Sequence, residues 1–380
     1  MRLSPNIDVL GWAIERFGAI HTLTAKFPKL NRWKSGEIQP TMKQLEDFAR
    51  AVQIPFGYLL LPEPPEITLP IPHFRTEHDV EEFQPSSDLL ESVYKTQTRQ
   101  EWMRDYLINQ GHSRLEFVGS KSSSNSSATV AKSIKRVLGI DDNWAAKIPN
   151  WTEALRVLRS KSEDAGILVV SNGVVGNNTH RVLDPEEFRG FVLVDDYAPL
   201  IFINGADYKS AQMFTLAHEL AHVWVGSSAA FDLRNLLPSH NDVESLCDTI
   251  AAEFLVPEAS LRELWEKFEN AADPLYSLAK NYKVSEIVAA RRLLDIELID
   301  RQEFFEYYDF WINKSRKPRQ KMDGGDFYNN QNVRVGKKFM SAVAIAAKEG
   351  SLQYREAYKM TDLYGSTFNK YATEVLGFEY

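Results

Sequence analysis

The chain has 380 residues, 44% apolar and 25% charged, with a formal net charge of −8, which suits a soluble protein of two or three domains and excludes binding of nucleic acid by overall charge. Its one cysteine, Cys247, excludes an internal disulfide framework and fits a reducing cytosol. A basic-then-apolar leader and an apolar run of about eighteen residues are both absent, so neither secretion nor a membrane span is expected.

Residues 7–62 read as several short helices. IDVLGWAIERFG has apolar positions at helical spacing, IHTLTAKF leads to Pro28, and LNRWKSG ends at Gly36, a helix-stop signal. Thr41 and Gln44 make a capping box for TMKQLEDFARAVQ. Residues 1–62 carry eight Lys or Arg against five Asp or Glu, so any nucleic-acid contact is to be sought here. The string WKSGEIQPTMKQL resembles the end of the recognition helix and the following helix in the Cro/repressor-type helix-turn-helix family. That resemblance implies a helix carrying Trp33 in the major groove, with Lys29, Asn31, Arg32 and Lys34 toward DNA. The sequence departs from the family before Lys29, where KFPK stands in place of a Gly turn and a Ser or Thr cap, and this predicts a shortened recognition helix.

PEPPEITLPIP holds five prolines and predicts a stiff connector, with a boundary near residue 65. HFRTE (73–77) is read as the start of docking against the next part, and residues 89–109 as one long helix packed on the body. KSSSNSSA (121–128) is a polar loop. Residues 128–138 and 151–160 are helical. Three strand-like runs follow, GILVV (166–170), FRGFVLV (188–194) and LIFIN (200–204), the last two joined by a short link that predicts a hairpin. A small antiparallel sheet with helices on one side is the expected architecture, its edge strand open to a substrate backbone.

Immediately after the sheet comes FTLAHELAHVWVG (214–226), apolar all round and therefore read as a buried helix. His218 and His222 stand one turn apart on it, so two imidazoles can reach one ion. Glu219 lies beside them and is placed to act as general base on a water. In DVESLCDTIAAEFLVP (242–257), Glu244 is the expected third zinc ligand and Asp248, four residues on, the acid that orients a ligating histidine. Glu253 lies about half a turn round from Glu244 and cannot share the ion. Tyr208, His240 and Tyr197 are candidates for an oxyanion donor by proximity in sequence. The chain beyond Pro257 is helical again, dense in aromatics from about residue 300 (FFEYYDFW), then basic (KSRKPRQK), then GGDFYNNQN before the last helices.

FRGFVLVDDYAPLIFING, FTLAHELAHVWVG and AAEFLVP together resemble the ImmA/IrrE family of zinc metallopeptidases, strongly over residues 160–260. The resemblance implies an α+β chain: a helix-turn-helix domain at 1–65, a connector and long helix at 66–115, a zincin-like peptidase domain at 116–300 and a helical region at 301–380. It further implies Zn²⁺ as cofactor and hydrolysis of a regulatory protein in the cytoplasm, coupled to operator DNA through the N-terminal domain. Longer fusions of this kind resemble antitoxins, so the alternative is a chain that neutralises a toxin encoded nearby, such as a PIN-domain ribonuclease, and autoregulates its operon. No membrane partner is expected, and a homodimer is compatible with either reading. Where many relatives have Asn, this sequence has Asp248, which also serves as a hydrogen-bond partner.

Overall fold

The computed structural model describes residues 2–18, 20–66, 85–227, 229–231, 242–315, 330–374 and 377, with side chains of the last helical turn before 315 left aside. The HFRTE segment, most of the basic stretch and GGDFY, and His240 lie outside these residues. The described residues form two compact units, one of residues up to 66 with 85–90 and the other from 91 onward.

In the first unit α1 (Ile7–Phe17) starts where the Asn6 side chain accepts the Asp8 and Val9 amides. After it come α2 (Ile20–Lys26), α3 (Leu30–Lys34) and α4 (Met42–Ala51), the last opened by the Thr41–Gln44 capping box, then a 3₁₀ turn at Phe56–Leu60. Val9, Leu10, Leu23, Leu30, Trp33, Leu45 and Phe48 fill the core, where Phe27, Trp33 and Phe48 meet at tilted and edge-on angles. α3 has only 5 residues. Pro28 stands just ahead of it, Lys29 supplies no side-chain cap, and Gly36 with φ 71 closes it.

The second unit takes most of α5 (Ser87–Asn109), then α6 (Ser127–Leu138) and α7 (Trp151–Asp164), before a four-stranded sheet. Its strands are β1 (Leu168–Asn172), β4 (Gly190–Leu193), β5 (Leu200–Asn204) and β6 (Ala229–Phe231), in the spatial order β1-β5-β4-β6. β2 (Val174–Val175) and β3 (Asn178–Val182) form a separate ribbon. β4 and β5 are the expected antiparallel hairpin, with Gly190 opposite Ile203 and Leu193 opposite Leu200.

Two expectations are corrected. The sheet is mixed, because β1 runs parallel to β5, Leu168 beside Leu200 through Asn172 beside Asn204. The chain leaves β1 through the β2–β3 ribbon, returns as β4 two places away, and the hairpin then drops β5 into the gap. Second, the sheet is covered on both faces, since every residue of β1, β4 and β5 is buried. Val169, Val192, Ile201 and Ile203 pack with Met213, Leu216, Leu220 and other residues of helices on one face. α5 reaches the strands separately, through Gln100, whose amide donates to the Leu193 and Ala198 carbonyls. Double coverage explains why these strands read as unbroken apolar runs.

The outer edge of β1 is closed as well. Leu168 donates inward to the Pro199 carbonyl at 2.8 Å, so by strand alternation Val169 turns its polar backbone outward. Gly336, at the end of a π-helical turn (Asn332–Gly336), stands there with φ 87 and ψ 126, a conformation open only to glycine. A Cβ at Gly336 would come 3.5 Å from the Val169 carbonyl. The helices that follow, Lys337–Lys348, Tyr354–Thr361 and Ser366–Glu374, are tied back by Asp362, which binds Lys95 at 2.7 Å and Arg99 at 3.0 Å. Asn177 of the ribbon joins them, donating to the Asp362 carbonyl and accepting from Gln331.

Between sheet and C-terminal helices run α8 (Lys209–Val225), α9 (Asp242–Leu255), α10 (Glu258–Phe268), α11 (Pro274–Tyr282), α12 (Glu286–Asp295) and α13 (Arg301–Ser315). Among the described residues no helix is long and apolar enough to cross a membrane.

Candidate metal centre

α8 is buried from Gln212 to Trp224, its apolar and small residues surrounding the polar Gln212, Thr215, His218, Glu219 and His222. Its last turn is held from outside. Gly226 returns its N–H to the His222 carbonyl, and the Gly119 and Lys121 amides take the Val223 and Trp224 carbonyls, each at 3.0 Å. Phe117 stacks on Trp224 with centroids 4.5 Å apart. The helix bearing both histidines is thereby fixed at the end nearest them.

α9 packs on α8 and presents one face to it. Glu244 places Oε2 3.1 Å from His218 Nε2 and Oε1 3.1 Å from His222 Nε2, while the two Nε2 atoms are 3.0 Å apart. Asp248 Oδ1 lies 2.9 Å from His218 Nδ1. His218 and His222 are fully buried and Glu244 nearly so. Ligands held at about 2.0–2.1 Å around a tetrahedral ion are separated by roughly 3.4 Å. The spacings of the three donor atoms therefore fit a small divalent cation, and two imidazole nitrogens with one carboxylate are a donor set that such ions take.

The electrostatics of the site agree with that fit. Burial works against a charged His218, yet its bonds to Asp248 and Glu244 outweigh burial and raise it to about 10. Burial likewise opposes a charged Glu244, and its bonds to His218 and His222 bring it down to about 2. Burial keeps His222 below its ordinary value. A divalent cation at this point would replace the shared protons and satisfy the carboxylate and both imidazoles together.

Glu219 is fully buried, and among the described residues neither carboxylate oxygen has a hydrogen-bond partner. Burial pushes its pKa well above the usual carboxylate range, and Glu244 adds to this, against an opposing pull from His218. A carboxylate without a partner among the described residues, beside three converging donors, can take a proton from a water. Cys247 is buried beside the cluster, and burial pushes its thiol up, so it stays a neutral, inert sulfur.

The other predicted residues fall elsewhere. Tyr208 is the N-cap of α8, ten residues and about 15 Å along the helix from His218, so it cannot serve as an oxyanion donor. Tyr197 lies in the β4–β5 turn under Arg114, 5.9 Å from ring to guanidinium, at the opposite end of β4 from Gly190. Lys29, Asn31, Arg32 and Lys34 are exposed on or beside α3, in the other unit, and Arg32 is paired with Glu37 at 2.6 Å. Sequence reasoning overlooked Gly190 and Thr215, which flank Glu219. A glycine inside the branched run FRGFVLV was the available signal, since it marks close approach in a strand.

Residues 162–294 match the sequence model of the IrrE N-terminal-like domain. The match covers the sheet and all the residues that converge on the candidate metal. The radiation response metalloprotease IrrE of Deinococcus radiodurans is 34% identical over 97 residues, covering 23% of this chain and 28% of that protein. The chain thus spans little more than a quarter of that relative's length. Together the two similarities support a metallopeptidase domain of the ImmA/IrrE type, and with it a divalent metal, which His218, His222 and Glu244 could hold. A second model, a domain of unknown function, matches residues 335–374.

Proposed function

We propose that this chain is a zinc-dependent endopeptidase that cuts a regulatory protein. The observation that carries this reading is the convergence of His218, His222 and Glu244 with the Glu219 carboxylate beside them, which has no partner among the described residues. His218, His222 and Glu244 would hold the ion, which when bound lowers the pKa of a water and polarises a peptide carbonyl. Glu219 accepts the proton of that water on a carboxylate oxygen and passes it to the leaving amine as the peptide bond breaks. Asp248 fixes the tautomer and plane of His218 by accepting from Nδ1. Because the outer edge of β1 is covered, an extended substrate would add along β6, the other edge of the sheet.

For the first unit the proposal is contact with operator DNA through Lys29, Asn31, Arg32 and Lys34, Arg32 exchanging its exposed pairing with Glu37 for a phosphate. Lys34→Ala should then weaken binding to DNA from the chain's own promoter, and unchanged binding would remove α3 from the interface.

The test of the peptidase is Glu219→Gln in the metal-loaded protein, incubated with the product of the neighbouring gene. Cleavage should fall by about 10²- to 10⁴-fold with metal content unchanged. Equal cleavage by both proteins would sink the mechanism.

A further inference from the structure

Gly190 opens β4 and pairs with Ile203 of β5 on one side and Phe231 of β6 on the other, so its backbone cannot drift. A Cβ at this position would lie 2.5 Å from Thr215 Cγ2, 2.9 Å from the Phe202 carbonyl and 3.2 Å from Glu219 Oε1. Its φ is not in the left-handed region, so glycine is required here for space rather than for backbone freedom. Thr215, one helical turn before Glu219, gives its hydroxyl to the Ala211 carbonyl at 3.0 Å, which leaves its methyl group facing the strand. One side of the Glu219 carboxylate is therefore bounded by bare glycine backbone and a methyl group, and neither competes for its lone pairs.

We propose that Gly190 is a positioning residue for the proposed general base: the missing side chain at 190 lets the Glu219 carboxylate stand against the strand, with both oxygens reserved for the reacting water. The inference rests on the peptidase reading and adds to it a constraint on β4. Adding a single methyl group would push the carboxylate by some tenths of an ångström out of its place, and a general base acts only within hydrogen-bond reach of the proton it takes.

The probe is acetohydroxamate, measured on the full-length protein loaded with Co²⁺. A hydroxamic acid chelates an ion through two oxygens while its acidic proton passes to a carboxylate beside the ion, so its affinity reports where that carboxylate stands. Gly190→Ala alone carries the severe clash with Thr215 and is expected to lose thermal stability. The Gly190→Ala/Thr215→Ser double variant removes that methyl group, keeps the hydroxyl, and leaves the new Cβ against Glu219 and the Phe202 carbonyl, so a Co²⁺ spectrum that departs from wild type would mean strand displacement and overturn the positioning role. It should hold Co²⁺ with the wild-type absorption spectrum yet bind acetohydroxamate about tenfold or more weakly than Thr215→Ser alone.

Equal hydroxamate affinity in the double variant and Thr215→Ser would overturn the positioning role and leave the peptidase reading standing. A wild-type protein that binds no Co²⁺, or binds Co²⁺ but not the hydroxamate, would instead overturn the peptidase reading, and the role of Gly190 with it.

Discussion

Replacing Asp248 with alanine removes the acceptor of the His218 Nδ1–H bond, 2.9 Å long, without touching any of the three atoms that converge on the metal position. Loss of such an outer partner typically weakens metal binding about 10- to 100-fold. The Asp248 side chain is 38% exposed, so water can reach the abandoned Nδ1–H and soften the loss. The expected effect is therefore near the low end, about tenfold or roughly 1.4 kcal/mol. Asp248→Asn keeps an oxygen acceptor in place and should lose only about threefold. Both can be read by competing Zn²⁺ between the protein and a chromophoric chelator at neutral pH. If Asp248→Ala binds zinc within about twofold of wild type, the carboxylate is not orienting His218 and the argument fails.

Glu163 is raised from 4.5 to about 7, chiefly by burial, against the opposing influence of Arg159, the Lys337 amide and Lys338, with Asp164 adding to the rise. An acid whose pKa is higher folded than unfolded gives stability that is present below the unfolded value and lost as pH rises through the folded one. Wild type should therefore lose up to about 3 kcal/mol between pH 4.5 and 7 from this group, and Glu163→Gln should be the more stable protein at pH 8 but not at pH 4.5. Urea unfolding of both proteins at the two pH values decides it, and parallel pH dependences would refute the assignment. Asp362→Ala strands Arg99, whose side chain is 6% exposed and whose pKa burial already lowers, and should cost about 3–5 kcal/mol in thermal unfolding. Asp362→Asn, which still accepts hydrogen bonds, should cost clearly less, and equal losses would mean that packing rather than charge pairing dominates there.

What the sequence disclosed was governed by short-range geometry. His218 and His222 share a helix face by spacing alone, and Glu244 and Asp248 likewise, so the two halves of the cluster were visible before their meeting was. The β4–β5 hairpin was visible for the same reason, since its link is short. The parallel pairing of β1 with β5 was hidden, because it depends on where β5 falls relative to a strand some thirty residues earlier. Burial on both faces erased the alternation that would have revealed strand orientation. Tyr197 and Tyr208 misled because nearness along the chain was taken for nearness in space, and a helix carries a residue about 1.5 Å further with every step. Gly190 was visible as a letter but not as a contact, since its meaning lies in Thr215 and Glu219 on another element.

Gly336 against Val169 bears on how this protein keeps to itself. A strand edge with unsatisfied amides is a template for a second chain, and natural sheets cover it, charge it or keep it short. Here the cover comes from the turn at which the region matching a domain of unknown function begins, far along the sequence from the strand it guards. Damage to that tail, by a premature stop or a nick ahead of residue 330, would bare β1 without disturbing His218, His222 or Glu244. Such a product would keep its metal ligands and become adhesive, joining copies through their sheets, so self-association rather than loss of metal would be the first sign of tail damage.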